Sequence, residues 1–289
     1  MDTMHFGTCS WKYESWDGLV YEPGSSKRYL AQYANTYDSV EVDRWFWSLG
    51  KRSYGLPDPH DVREYDQDTP DSFKFTIKCP NTLTLPFSYQ SKTEPNPWFL
   101  DAEVFYRFIE TLEPLIPKIG LLMFQFGYLN RSMFKDRDEF LESLDRFFSL
   151  LPDSLPYAVE LRNPAWMDTS YFSFLEERQI GPVLLSGYWM DDLDTQLQRA
   201  GSHLHSPFCV RLHGEDRKEI EKESGGKWDR ILESHDQELI AIAPRLVKLA
   251  QEGKVIYINV NNHYEGSAPL TISKLMNYLR ETEADDVRI

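Results

Sequence analysis

Ala158-Val159-Glu160-Leu161-Arg162 places a charged side chain at every second position of a short apolar run. Successive side chains of a strand point to opposite faces, so Glu160 and Arg162 share one face and Val159 and Leu161 the other. The alternation returns in Ser39-Val40-Glu41-Val42-Asp43, Phe73-Lys74-Phe75-Thr76-Ile77-Lys78, Leu121-Leu122-Met123-Phe124-Gln125, Val210-Arg211-Leu212-His213 and Ile256-Tyr257-Ile258-Asn259-Val260-Asn261. An antiparallel sheet with one solvated face alternates in the same way. Here, however, the polar residues gather late in most of the runs, and helical segments separate most of them. These features favour an α/β fold, a (β/α)8 TIM-type barrel of parallel strands with outer helices. Its apolar set packs beneath the helices, and its polar set converges on the carboxyl mouth, where such barrels keep their active sites.

Phe6-Gly7-Thr8-Cys9-Ser10 as the first strand and Pro182-Val183-Leu184-Leu185-Ser186 as the sixth bring the count to eight. Between strands, Leu30, Tyr33, Ala34 and Tyr37 follow helical spacing, as do Phe140, Leu144, Phe147, Phe148 and Leu151. Leu239, Ile242, Leu246 and Leu249 mark a further helix that Pro244 should kink or begin afresh, and Ile272, Leu275, Met276 and Leu279 mark the last. Residues 52–72, 187–206 and the charged run 214–226 read as excursions from the barrel, the last as a solvated loop. Nothing resembles a linker, so residues 1–289 read as a single barrel domain with 281–289 as a frayed acidic tail.

The chain has 289 residues, 41% of them hydrophobic, which suffices for one large core. Its net charge of -15 repels nucleic acid and acidic membranes at long range, leaving a small anionic ligand in a locally basic pocket as the expected partner. No stretch of about 18 apolar residues is present, so no transmembrane helix is expected. Met1 to Phe6 lacks a basic and an apolar region, which makes the cytoplasm the expected compartment. Cys9, Cys79 and Cys209 are distant and odd in number, and read as small buried hydrophobes rather than as a disulfide, a zinc site or a catalytic thiol. With no Gly-x-Gly-x-x-Gly, Walker A or Gly-x-Ser-x-Gly sequence, a dinucleotide oxidoreductase of the doubly wound kind, a nucleotide-driven motor and an α/β-hydrolase are set aside.

The inward face of this barrel would gather Lys78, Arg162 and Arg211, with His213 beside them. Three cations at low dielectric require something negative among them. Glu41, Asp43 and Glu160 could supply it as a structural network, or a ligand phosphate or carboxylate could; arginine's planar fork suits both. Glu41, Glu160 and His213 are the candidate acid/base residues. Lys78, Gln125, Arg162, Arg211 and Asn261 are the candidate ligand contacts, with Trp11 and Trp47 as pocket walls. No cofactor is expected. A divalent metal on Glu41, Glu160, His213 and Asn261 would rest on convergence alone, because His-x-x-Glu-His and His-Glu-x-x-His are absent.

The chain resembles the DUF72, or YecE-like, family, whose fold is a TIM-type barrel. The resemblance lies in Gly7-Thr8-Cys9-Ser10-Trp11 with Tyr13 and Trp16, in the strands ending at Asp43, Lys78, Gln125 and Arg162, and in Asn163 and Trp166. It continues through Val210-Arg211-Leu212-His213-Gly214 to Asn261-Asn262 with Gly266, Ala268 and Pro269, spanning nearly the whole chain. The resemblance implies the barrel but no reaction, since the family has none assigned. Asn163 stands where a histidine is usual, Ser186 where an aspartate is frequent, and Gly127-Tyr128 where prolines are usual; these departures point away from a metal. Three functional readings stay open: an enzyme, an isomerase or hydrolase, acting by acid/base chemistry on a small phosphorylated or carboxylated substrate; a metal-assisted phosphodiesterase or sugar isomerase; and a non-catalytic ligand-binding or scaffold protein.

Overall fold

The computed structural model describes residues 3–24, 28–88, 93–214 and 217–286. Its strands are β1 (Met4–Thr8), β2 (Ser39–Val42), β3 (Lys74–Lys78), β4 (Ile119–Phe126), β5 (Tyr157–Leu161), β6 (Ile180–Ser186), β7 (Phe208–Leu212) and β8 (Ile256–Val260). They form one parallel sheet in the order β1-β8-β7-β6-β5-β4-β3-β2. The expected strands are all present, with shifted ends; β1 starts two residues before the expected Phe6 and stops at Thr8.

The alternation sorts the two faces as the pattern demands. Val40, Phe75, Phe124, Val159, Val210 and Ile258 point outward into the continuous core shared with the helices. Leu121, Met123, Ala158, Val183, Cys209 and Tyr257 point inward and form a separate apolar cluster. The Tyr257 ring crosses the lumen so closely that a Cβ on Gly120 would lie 2.5 Å from it, and His5 stacks on its face at 4.8 Å. This plug fills the amino-terminal half of the barrel and leaves the polar residues to the carboxyl half.

Between β1 and β2 the barrel closes through side chains. Thr8 donates its backbone N–H to the Tyr33 hydroxyl at 2.8 Å, and that hydroxyl donates to the Ser39 carbonyl at 3.1 Å. Phe6 N–H is met by the Asp38 carboxylate at 3.0 Å. Buried backbone donators that lack a ladder partner thus find a side chain instead.

The helices are α1 (Tyr29–Tyr33), α2 (Pro59–Gln67), α3 (Ala102–Thr111), α4 (Arg137–Phe148), α5 (Thr169–Glu177), α6 (Leu193–Ala200), α7 (Arg217–Ser224), α8 (Asp236–Gln251), α9 (Asn262–Glu265) and α10 (Ala268–Asp286). Asp58, Asp101, Asp136, Asp168 and Asp192 each cap the amino end of α2 to α6 by accepting backbone N–H bonds. Helices stand where excursions from the barrel were expected. Segment 52–72 holds α2, started by Asp58 and Pro59, segment 187–206 holds α6, and the run 214–226 holds α7, braced by an Arg217–Glu221 pair at 2.8 Å. Helix α8 passes through Pro244 without a break, because Leu239, Ile242, Leu246 and Val247 bury one face on both sides of it. The end expected to fray continues α10 to Asp286, and residues 287–289 lie outside the described residues.

Candidate active site

Arg211, inward on β7, is the centre of the lower polar tier. Its Nε and Nη2 donate to the two oxygens of Glu41 at 2.8 and 2.7 Å, a fork-on-fork pair, while Nη1 donates to Glu160 Oε2 at 2.6 Å. Asn259 closes the ring by donating to Glu41 Oε2 at 3.1 Å and to Thr76 Oγ1 at 2.8 Å. The Cys9 thiol also reaches Glu41, at 3.6 Å. Burial works against the Arg211 charge, but Glu41 and Glu160 outweigh it and hold the guanidinium well above its ordinary range. Burial likewise opposes ionised Glu160; Arg211, Arg162 and Lys78 overcome it and keep this carboxyl far below the usual range. Burial, then Glu41, pushes the Cys9 thiol well up, so it is no nucleophile.

The upper tier is less complete. Arg162 donates from Nε to Glu160 Oε1 at 2.8 Å and from Nη2 to Gln125 at 3.2 Å, and its guanidinium lies 4.4 Å from the centre of the Tyr188 ring. Lys78, the last residue of β3, is 8% exposed and sets its ammonium 3.9 Å over the Phe46 ring. Burial, then Arg211, lowers its pKa. Asp43, half-buried just past β2, is raised by burial and then by Glu41, and makes no ion pair among the described residues. His213 has a buried Nδ1 with no partner, and burial, then Arg211 and Arg162, lowers it to about 3, so the ring is neutral at pH 7.

Close loop packing sets these side chains. Gly187 (φ 121°) and Gly214 (φ 86°) adopt backbone that L side chains rarely take, and a Cβ on either would lie 2.3 Å from Gly214 O or 2.2 Å from His263 O. The loops after β6, β7 and β8 therefore stack backbone on backbone. Tyr188 follows at φ 55°, which swings its ring between Arg162 and His213, 5.0 Å from the latter.

Of the residues singled out from the sequence, Glu41, Gln125, Glu160, Arg162 and Arg211 form one hydrogen-bonded chain, with Lys78 and His213 beside it. Asn261 is not among them: past the end of β8 its side chain turns back to accept the His263 N–H and cap α9. Asn259, one strand repeat earlier on the same face, occupies the lumen. Trp11 is no pocket wall either, being buried edge-on against Tyr65 with its carbonyl accepting the Tyr21 hydroxyl. Trp47 stands 70% exposed beside Phe46. Asp43, expected only as a carboxylate of the structural network, stands at the mouth without an ion pair among the described residues, while Thr76, Cys9 and Tyr188 belong to the site and were not singled out for it; the strand position was the only signal for Thr76 and Cys9.

Glu41 and Glu160 are occupied by Arg211, and Asn261 caps a helix, so the residues considered for a divalent metal do not offer it free oxygens. Asn163 clamps Leu129 through its backbone N and O, both at 2.8 Å, and Ser186 donates to Glu238 at 2.7 Å. Neither presents a metal ligand to the mouth.

A family model described as "Protein of unknown function DUF72" matches residues 5–288. The chain belongs to the DUF72 family. Among curated relatives, UPF0759 protein YecE of Escherichia coli strain K12 is 27% identical over 176 residues, 61% of this chain and 53% of that protein, so the match spans about half the relative's length. A DUF72 family protein from Enterococcus faecalis V583 superposes with a TM-score of 0.69 at 20% identity, covering 96% of this chain and 95% of its own. Another, from Thermotoga maritima MSB8, gives 0.62 at 21% identity over 97% and 99%. At these identities the likeness shows the barrel fold. Among the described residues no helix is long and apolar enough to cross a membrane.

Proposed function

We propose that this barrel is an enzyme that takes a small anionic substrate at its carboxyl mouth and acts on it by acid/base chemistry. The observation that carries the reading is the contrast at the mouth. Lys78 and Asp43, on neighbouring strands, and His213, beside Arg211 and Arg162, have no ion-pair partner among the described residues, and each is displaced toward its neutral form, above a chain of matched charges. A carboxyl raised and an amine lowered, as Asp43 and Lys78 are, suit proton transfer in a barrel mouth, whereas His213, lowered to about 3, stays a neutral hydrogen-bonding ring at pH 7. Glu41 and Glu160, the first candidates for that role, serve instead to hold the arginines. Arg162 is the anion handle, since its Nη1 has no protein partner among the described residues.

The test is a set of thermal melts in phosphate, sulfate and chloride at equal ionic strength. Phosphate or sulfate should raise the Tm of the parent and raise that of Arg162→Met much less. Equal melting in all three salts would favour a scaffold with no anion site.

A further inference from the structure

We propose that Lys78 is a covalent catalytic amine, forming an imine with an aldehyde or ketone substrate that carries an anionic group. The inference rests on the anionic-substrate reading above. Its ground is a comparison of two lysines buried to the same degree. Lys118 donates to the carbonyls of Asp66 and Thr69 at 2.7 and 2.9 Å and pairs with the Asp66 carboxylate at 2.7 Å, a satisfied structural cation. Lys78 holds no hydrogen bond or ion pair among the described residues; its ammonium lies over the Phe46 face, and Glu41, Glu160 and Asp43 act on it only at longer range. A largely buried ammonium without a hydrogen-bonded protein partner is disfavoured relative to the neutral amine. An aromatic floor and a second cation, here Arg211, are the surroundings that free a lysine nitrogen for attack on a carbonyl carbon.

In the step, the Lys78 nitrogen pair forms the C–N bond while the carbonyl π pair moves to oxygen, which takes a proton. A second proton on that oxygen lets it leave as water, and the iminium remains. Starting from the ammonium, the balance is R–NH3⁺ plus carbonyl giving R–NH⁺=C plus water, with no oxidant or reductant. Asp43, half-buried at the end of the neighbouring strand and raised by burial and Glu41, shuttles the proton to the departing oxygen. Arg162 holds the anionic group.

The probes are three two-carbon aldehydes: glyoxylate, glycolaldehyde phosphate and neutral glycolaldehyde, each with sodium cyanoborohydride to trap an imine on the full chain. Adducts are then located by peptide mass mapping. Reduced adduct should accumulate several-fold faster on Lys78 than on Lys135, whose side chain is 86% exposed, because a lowered pKa leaves more of the amine neutral and nucleophilic at pH 7. Lys78→Arg should melt normally and lose that adduct; if it fails to fold, the parent's adduct map decides alone. Adducts confined to Lys135 and other exposed lysines would overturn the imine even where phosphate stabilises the parent, leaving the anion site standing. Labelling of Lys78 by glycolaldehyde as fast as by both anionic probes would support the imine and overturn the anionic reading. A preference for glyoxylate or for glycolaldehyde phosphate says whether the group is a carboxylate or a phosphate.

Discussion

Two tiers of one lumen meet their charges in opposite ways. In the lower tier Arg211 answers both Glu41 and Glu160, Asn259 adds a further donor to Glu41, and Arg211 and Glu160 are held firmly in their charged forms. Two residues further along the chain than Thr76, Glu41 and Arg211, the groups Lys78, Asp43 and His213 are displaced toward neutrality. Burial is common to both tiers and does not distinguish them. What differs is saturation, and it separates a network that holds the barrel from groups kept available for a ligand.

Removing a partner from the lower tier should do the most damage. Arg211→Met leaves Glu41 buried without a cation and Glu160 with Arg162 alone, and breaking such a buried pair costs about 3 to 5 kcal/mol. Urea unfolding at pH 7 should show that loss, and Arg211→Met with Glu41→Gln should recover part of it. Survival of the single variant at parental stability would place the charges elsewhere.

His213 should act through pH. Its folded pKa is lowered to about 3, below the ordinary value near 6.5, so between those values the unfolded chain binds a proton that the folded chain does not. Stability therefore rises with pH through that window, by at most about 2 kcal/mol between pH 5 and 6.5. His213→Gln should flatten this part of the curve; parallel curves would mean that the ring charges freely in the folded protein.

Asn261→Ala should cost about 1 kcal/mol, the value of a helix cap, and leave anion binding unchanged. A loss of the phosphate effect with this variant would return Asn261 to the site. The smallest effect belongs to Lys78→Met, expected within about 1 kcal/mol of the parent at pH 7 or slightly above it, since the buried ammonium is disfavoured there.

The barrel was legible because alternation fixes the face of every strand residue, and the strands at Glu41, Lys78, Glu160 and Arg211 carry it plainly. Alternation does not give height along the lumen. Strand tilt and stagger set that, which is why Asn259 rather than Asn261 meets Glu41 and why Thr76 enters the network. Pairings between strands were equally hidden, since the sequence placed three cations and three carboxylates on one face without saying which cation would be left over. Trp11 misled because an aromatic in a mouth loop can turn under the helices as readily as over the lumen.

Side-by-side urea unfolding of Arg211→Met and Lys78→Met at pH 7 tests the division between the tiers most directly. Arg211→Met should lose about 3 kcal/mol or more while Lys78→Met stays within about 1 kcal/mol of the parent. Equal losses, or a larger loss for Lys78→Met, would contradict it.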